Sequence, residues 1–174
     1  GTVNYGGGPL TSSGSSDACV IKFDASGNHL WSKRFGDANL QDASGVAVDS
    51  ADNVAIVGQL QGTMDFGGGS RTSAGISDVY VAKFNASGAH LWSKGFGDSA
   101  IQNATGVAFD GSGNVIITGV FAGTINFGGA TLTSAGGNDA FLAKFDASGN
   151  HLWSKDLGGT NTDVGAAITI DGGS

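Results

Sequence analysis

The chain has 174 residues, of which 15 are acidic and 8 are basic, so its formal net charge is −7. Nucleic acids and anionic membrane surfaces are bound by basic surfaces, so this charge disfavours both as partners. All the acidic residues are aspartate, 32 residues are glycine and one is proline. This composition disfavours helices and favours strands joined by tight turns. No apolar run approaches the ~18 residues of a membrane span, so we expect no membrane insertion.

The chain is built from an internal repeat. The motif His-Leu-Trp-Ser-Lys occurs at residues 29–33, 90–94 and 151–155, a spacing of 61 residues. In this frame the rest of the chain aligns with itself without gaps, and self-similarity of this kind is typical of repeat architectures. The sequence therefore predicts a single repeat domain with units at 1–61, 62–122 and 123–174, the last one incomplete.

Four short strands are predicted in each unit. Read from residue 106, they cover residues 106–110, 114–120, 140–145 and 151–157. Clusters of Asp, Ser, Gly and Asn separate the first strand from the second and the third from the fourth, and these residues favour hairpin turns. A polar loop is predicted over residues 122–138. Each unit is therefore expected to be an antiparallel four-stranded meander.

The strand patterns predict how these meanders pack. The second strand is almost entirely apolar, as in Val-Ala-Ile-Val at 54–57 and Val-Ile-Ile at 115–117. Strands without a polar face are covered on both sides. Sheets stacked face to face, as in the blades of a β-propeller, meet that requirement. A β-trefoil also has threefold repetition of four strands and is the alternative, although the Gln-x-Trp motif of trefoil lectins is missing from the sequence.

Three stretches resemble the bacterial SBBP propeller repeat: residues 45–54, 77–84 and 30–36. The resemblance covers the whole chain and extends more distantly to NHL repeats. It implies that the Gly-Val-Ala-Val-Asp strand is innermost and the His-Leu-Trp-Ser-Lys strand outermost. It also implies a secreted or surface-attached bacterial protein. The family offers no shared catalytic or binding residues that could be transferred to this chain.

The chain falls nine residues short of three whole units, and the nine correspond to the second strand, residues 53–61 and 114–122. It is therefore expected to open with the outer half of one blade and to end on the inner strand of another, at 168–170. Propellers close with about 4–8 blades. We expect closure either by a homodimer that makes a six-bladed ring or by further repeats. No signal peptide is recognisable, and the sequence starts within a repeat, so we expect any targeting segment to lie outside it.

The candidate ligand-binding residues are equivalent by the repeat: Trp31, Trp92, Trp153, His29, His90 and His151. Each Trp follows a His by two residues on the same strand face, which suits either packing between blades or a stacking platform for a sugar ring. The histidines are expected on the outer strand, too far apart to share a metal. We therefore predict no metal, cofactor or catalytic residue.

Charged residues locked to the repeat favour architecture over catalysis, because a catalytic site is usually a single asymmetric constellation. The Asp-x-Ser-Gly-Asn turns lack the pattern of a calcium loop and are interpreted as hairpin turns. The sequence thus predicts a non-catalytic propeller that serves as a scaffold or a module for binding protein. A lectin-like propeller with one carbohydrate site per blade is the alternative.

Overall fold

The computed structural model describes residues 1–171. Over these residues the chain is all β, with sixteen strands and no helix. The strands are β1 (Thr2–Asn4), β2 (Pro9–Thr11), β3 (Ala18–Phe23), β4 (His29–Phe35), β5 (Gln41–Val48), β6 (Val54–Leu60), β7 (Thr63–Asp65), β8 (Ser70–Thr72), β9 (Asp78–Phe84), β10 (His90–Phe96), β11 (Gln102–Phe109), β12 (Val115–Phe121), β13 (Thr124–Ile125), β14 (Leu132–Thr133), β15 (Asp139–Phe145) and β16 (His151–Asp156).

Two complete four-stranded antiparallel sheets confirm the predicted meander. Their strand orders are β5-β6-β9-β10 and β11-β12-β15-β16. The first strand of each is longer than predicted, because β11 begins at Gln102 rather than at residue 106. That added length contains a bulge between Ala104 and Gly106, and its repeat equivalent lies between Ala43 and Gly45. A bulge bends a strand and increases its twist, so both first strands bend at the same place.

The two sheets stack as propeller blades. Their closest mutual contact runs along the first strands, where β11 packs against β5 and β6. The first strands are thus innermost, as the family resemblance implies, and the strands that carry His-Leu-Trp-Ser-Lys lie at the outer sheet edges. Separate sheets stacked in this way do not form the single barrel of a β-trefoil, so the propeller prediction is the correct one.

The core lies between blades rather than inside one. In β6 six of seven residues are buried, and all seven residues of β9 are buried. The side chains of β6 divide between two clusters: Val54 and Ile56 pack with the preceding strands, whereas Ala55 and Val57 pack with β11 and its blade. A continuous apolar strand is therefore needed because both faces of each sheet are covered.

The predicted loop between the second and third strands is only partly a loop. In all three units it folds into a small hairpin, namely β1-β2, β7-β8 and β13-β14. The aromatic residue of its Asp/Asn-Phe/Tyr-Gly-Gly motif anchors the second hairpin, since Phe66 is buried 5.0 Å from the ring of Phe35 and 5.1 Å from that of Tyr80. The loop is therefore an ordered insertion that covers the contact between blades.

The two ends of the chain form an incomplete blade each. At the start, β3 and β4 make a two-stranded sheet that packs on the β5-β6-β9-β10 blade. At the end, the predicted inner strand at 168–170 is not a strand. The segment still lies beside β11, where the backbone of Ala167 and Ile168 approaches Gly106. The strand prediction fails there because a ladder needs a neighbour, and within residues 1–171 no second strand pairs with this segment.

Candidate functional site

Two tryptophans of the outer strands, Trp31 and Trp92, each bind the next blade through a hydrogen bond and a packing contact. Trp31 Nε1 donates a hydrogen bond to the Ala86 carbonyl at 3.0 Å, and Trp92 Nε1 donates to the Ala147 carbonyl at 3.0 Å. Each ring also lies against the turn of the next blade: a Cβ placed on Gly149, which has φ +86°, would come within 2.8 Å of the Trp92 ring. Glycine is required there for both the backbone conformation and the close approach.

Trp153 occupies the same position in the third unit, but within residues 1–171 no turn of a further blade lies against it. Its side chain is exposed by 38%, and within residues 1–171 it does not make the bond to a carbonyl of a next blade that Trp31 and Trp92 make. The matching acceptor turn exists at the other end of the chain, where Ala25 stands at the repeat position of Ala86 and Ala147. Trp153 and Ala25 therefore hold the repeat positions of the donor and the acceptor in a contact that the chain makes twice internally.

The histidines pack against the inserted hairpins. Each imidazole covers the Gly-Gly pair of its own unit so closely that a Cβ on Gly68 would lie 2.1 Å from His90 Cε1. His90 Nε2 is 3.1 Å from Ser93 Oγ, and His151 Nε2 is 3.2 Å from Ser154 Oγ. Burial lowers the pKa of His90, and the nearby Arg71 lowers it further. The histidines are thus half-buried packing residues rather than free surface groups.

The repeated lysines also cross between blades. Lys83 Nζ donates to the carbonyl of Gly113 in the next blade at 3.1 Å, and its equivalent Lys22 donates to the Asp52 carbonyl at 2.8 Å. Lys83 is only 3% exposed and lies 3.6 Å from the Asp49 carboxylate, which is itself 6% exposed. Burial opposes ionisation of Asp49, yet hydrogen bonds from Asn53 and Ala51 and the charge of Lys83 keep its pKa below the ordinary value.

Asp98, which follows β10, is hydrogen-bonded to the hairpin β13-β14. Its carboxylate accepts hydrogen bonds from the Thr124 amide and hydroxyl, both at 2.8 Å, and from Gln102 Nε2 at 2.6 Å. Partial burial raises the pKa of the Asp98 carboxyl, but these bonds and one from the Ala100 amide outweigh it and bring the pKa to about 2. Asp37 has the same role in the preceding unit.

These bonds predict a dependence of stability on acid. Because the pKa of Asp98 is lower when folded, its contribution is complete above the ordinary value of 3.8 and is lost as the pH falls towards about 2. We expect Asp98→Asn to lower the free energy of unfolding by about 1.5–3 kcal/mol at pH 7. The variant should also lose less stability between pH 5 and pH 2 than the wild type, as measured by urea unfolding at several pH values. Ser99→Ala, an exposed neutral change in the same turn, should keep the wild-type slope; a parallel loss in Asp98→Asn would contradict the assignment.

The two end faces expose side chains whose repeat equivalents are buried or half-buried. On the first face Val3, Tyr5 and Phe23 are exposed by 44%, 40% and 47%. Their equivalents in the next unit, Met64, Phe66 and Phe84, are at most 3% exposed. On the last face Trp153 is joined by Leu157, which is 50% exposed and stands where Phe35 and Phe96 stand in the earlier units. We call these surfaces the N-terminal face and the C-terminal face.

The C-terminal face contains a cavity of about 670 Å³. Its walls include Trp153, Lys144 and Asp110, and Lys144 Nζ lies 2.7 Å from Asp110 Oδ2. Partial burial raises the pKa of Asp110, but the Lys144 and Asn114 bonds outweigh it and hold the pKa well below the ordinary range. Lys144 and Asp110 are therefore engaged with each other.

Residues 1–171 show neither a metal-binding cluster nor a membrane-spanning helix. No group of three or more His, Cys or Asp side chains in this stretch of the chain is arranged to hold a metal ion. No helix long and apolar enough to cross a membrane occurs in the same residues.

The structure does not bring the six candidate residues together. They lie on β4, β10 and β16, the outer strands of three different sheets. Their role in ligand binding stays a prediction. Sequence reasoning missed Val3, Tyr5, Phe23 and Leu157, although the repeat frame carries a signal for them: the first three align with buried residues of the second unit, and Leu157 aligns with the buried Phe35.

No protein-family model matches the chain. It is 27% identical over 180 aligned positions to the Regulatory protein FlaEY of Caulobacter vibrioides, an alignment that covers 99% of this chain and 19% of that protein. It is 28% identical over 131 positions to a WD repeat-containing protein of Acanthamoeba polyphaga mimivirus, covering 68% of this chain and 9% of the relative. The chain thus spans about a fifth or less of the length of each relative. One relative is named for a regulatory role and the other for WD repeats, which form propeller blades, so the similarity supports a repeat module of propeller type.

Proposed function

We propose that this chain is a non-catalytic propeller scaffold that joins with blades of its own kind and holds its turns in a fixed array for contact with protein. The proposal is supported by the structural contacts that the repeated side chains make. The internal tryptophans, histidines and lysines are all occupied by contacts within or between blades. Membership of the SBBP family and a secreted or cell-surface location belong to this proposal as well.

The partner that best fits the two end faces is a second copy of the chain. The internal contacts provide the template: Trp31 lies 6.4 Å from the ring of Phe84, and Trp92 lies 6.2 Å from that of Phe145. Trp153 of one copy would meet Phe23 and the Ala25 carbonyl of another in the same way. Two such contacts would join two chains as a C2 pair, the six-bladed ring.

Sedimentation analysis over a wide range of protein concentration tests this association. We expect the wild type to form dimers, and we expect Trp153→Ala to weaken the dimer by on the order of tenfold or more, because a central buried Trp contributes strongly to an interface. Leu91→Ala is the matched control, since Leu91 is an exposed apolar residue of the outer strand in a blade that is covered on both sides. A wild type that remains monomeric throughout, or equal weakening by Leu91→Ala, would contradict the proposal.

Carbohydrate binding is a second candidate because the indole ring of Trp153 is exposed to solvent. Trp31 and Trp92 each pack against the turn of the next blade, whereas Trp153 borders the cavity of the C-terminal face. An exposed indole beside polar groups suits a sugar ring. Saturable binding on a glycan array that is lost in Trp153→Ala and kept in Trp92→Ala would favour this function over the scaffold.

A further inference from the structure

Two isoleucines break the repeat at the junction of the two complete blades. Ile76 precedes β9 of one blade, and Ile101 precedes β11 of the next. Their equivalents are Ser15 and Leu40 in the first unit and Gly137 and Thr162 in the third. Isoleucine therefore stands at both positions in the second unit alone, although most of the chain follows the repeat closely.

The two isoleucines are neighbours and both are exposed. Ser77, which follows Ile76, pairs in parallel with Ile101, and its carbonyl accepts the Gln102 amide at 2.9 Å. Ile76 is 59% exposed and Ile101 is 45% exposed, whereas Ser77 and Gln102 beside them are buried. Single exposed apolar residues are ordinary on a protein surface, but neighbouring ones form a patch that favours contact with another molecule.

Leu40 extends this patch along the edge of its blade. Leu60 pairs with Asp78, which places Gln61 beside Ser77, and the Gln61 amide donates to the Leu40 carbonyl at 3.0 Å. Leu40 is half-buried. We call Leu40, Ile76 and Ile101 the aliphatic surface. It shares no residue with the N-terminal face or the C-terminal face.

The charges around the aliphatic surface are negative. The segments at this edge of the two complete blades are residues 36–42, 60–63, 73–78, 97–103 and 121–124. They contain the aspartates Asp37, Asp42, Asp78 and Asp98 and neither lysine nor arginine. Hydrogen bonds from the Asn39 and Thr63 amides bring the pKa of Asp37 to about 2, so its carboxylate is charged at neutral pH. A partner that covers this edge must therefore supply positive charge.

We propose that the aliphatic surface binds a cationic segment of a partner protein, in which one large apolar side chain stands between lysine or arginine residues. The inference rests on the proposed contact with protein, but it does not depend on association between copies of the chain. The apolar side chain would cover Ile76 and Ile101, and the cations would face Asp42 and Asp98. An apolar centre with a polar rim is the usual anatomy of an interface, and complementary charge supplies specificity.

Selection from a random-peptide display library tests the proposal. We expect the enriched peptides to place lysine or arginine on both sides of a leucine, phenylalanine or tryptophan. A synthetic copy of an enriched peptide should bind saturably, and Ile76→Ser with Ile101→Thr should weaken it by on the order of tenfold or more. These substitutions copy Ser15 and Thr162, the residues that two other units have at the same positions, so the fold is kept.

Two aspartate variants test the role of charge. Asp42→Asn copies Asn103 of the next unit and should weaken the synthetic peptide by about two- to fivefold, the effect of one exposed ion pair. Added salt should weaken the peptide as well. Asp52→Asn removes a charge from the turn at the opposite edge of the blade, where Asp52 is 72% exposed, and should leave binding unchanged. Enriched peptides without basic residues, no enrichment at all, or equal binding by the double isoleucine variant would overturn the proposal.

The end-face association is tested separately. Trp153→Ala should bind the synthetic peptide as the wild type does, so a failure of dimerisation and a failure of peptide binding are distinct results. Sedimentation of the double isoleucine variant should show the same association as the wild type. If that variant lost association while Trp153→Ala kept it, a second copy would occupy the aliphatic surface, and the proposal would be wrong.

Discussion

Phe145→Ala is expected to lower the free energy of unfolding by about 3–5 kcal/mol, the range for removing a large buried aromatic side chain. Phe145 is fully buried between the two complete blades. Its ring stacks on Phe96 at 5.4 Å and meets Trp92 at 6.2 Å and Phe127 at 6.3 Å. Truncation would leave a cavity bordered by three rings that belong to different segments of the chain and therefore cannot collapse together. Urea-induced unfolding measures the loss.

The repeat supplies a matched control at the same position of another unit. Phe23→Ala removes the same atoms from a ring that is 47% exposed, so it should change the free energy of unfolding by less than about 1 kcal/mol. Both substitutions are best compared in the Trp153→Ala background, where association between chains does not contribute. Similar losses at the two positions would mean that blade stacking is not the source of stability.

Lys83→Met is expected to cost about 3–5 kcal/mol of unfolding free energy, because it leaves a buried charge without its partner. The Lys83 and Asp49 side chains are 3% and 6% exposed, and the ammonium also lies 4.9 Å from the centre of the Phe109 ring. Methionine retains most of the apolar stem, so the loss reports the charge and the bond to the Gly113 carbonyl rather than packing. Urea unfolding measures this change as well.

Lys22→Met is the control, since Lys22 contacts the equivalent turn through Asp52, whose side chain is 72% exposed. An ion pair open to water contributes about 0–1 kcal/mol. The difference between the two lysines therefore isolates the effect of burial at one repeat position. If both variants were equally stable, the buried Lys83–Asp49 pair would contribute nothing to stability.

The repeat, the strand order and the blade architecture could be predicted because they depend on local chemistry. The Asp-Ser-Gly-Asn turns encode their own hydrogen bonds: Asp110 Oδ1 accepts the amides of Ser112 and Asn114, and its Oδ2 accepts Asn114 Nδ2. All the side-chain hydrogen bonds that stabilise such a turn lie within five residues, so the local sequence is enough to predict it. The apolar second strand likewise reports that both faces are covered, whatever covers them.

The features that could not be predicted depend on neighbours. The sequence predicts a loop where the hairpin β7-β8 lies, because most residues of this segment are polar. The burial of Phe66 between two blades orders the segment, and that burial depends on residues far away in the chain. Residues 168–170 have the sequence of a strand and the position of one, yet they lack the partner that makes a ladder. For the tryptophans, the sequence leaves packing and sugar binding open, and the difference lies in a carbonyl 55 residues away.

The hydrogen bond from Trp31 to Ala86 gives the stack of blades a direction. One face of every blade offers an indole donor, and the opposite face offers a carbonyl acceptor, so a face cannot satisfy another of its own type. Copies that associate through these surfaces must add head to tail. An open row of them would always keep a bare donor at one end and a bare acceptor at the other, however long it grew. A closed ring is then the one finite assembly in which every aromatic face is covered, and a row that failed to close would have no length at which to stop.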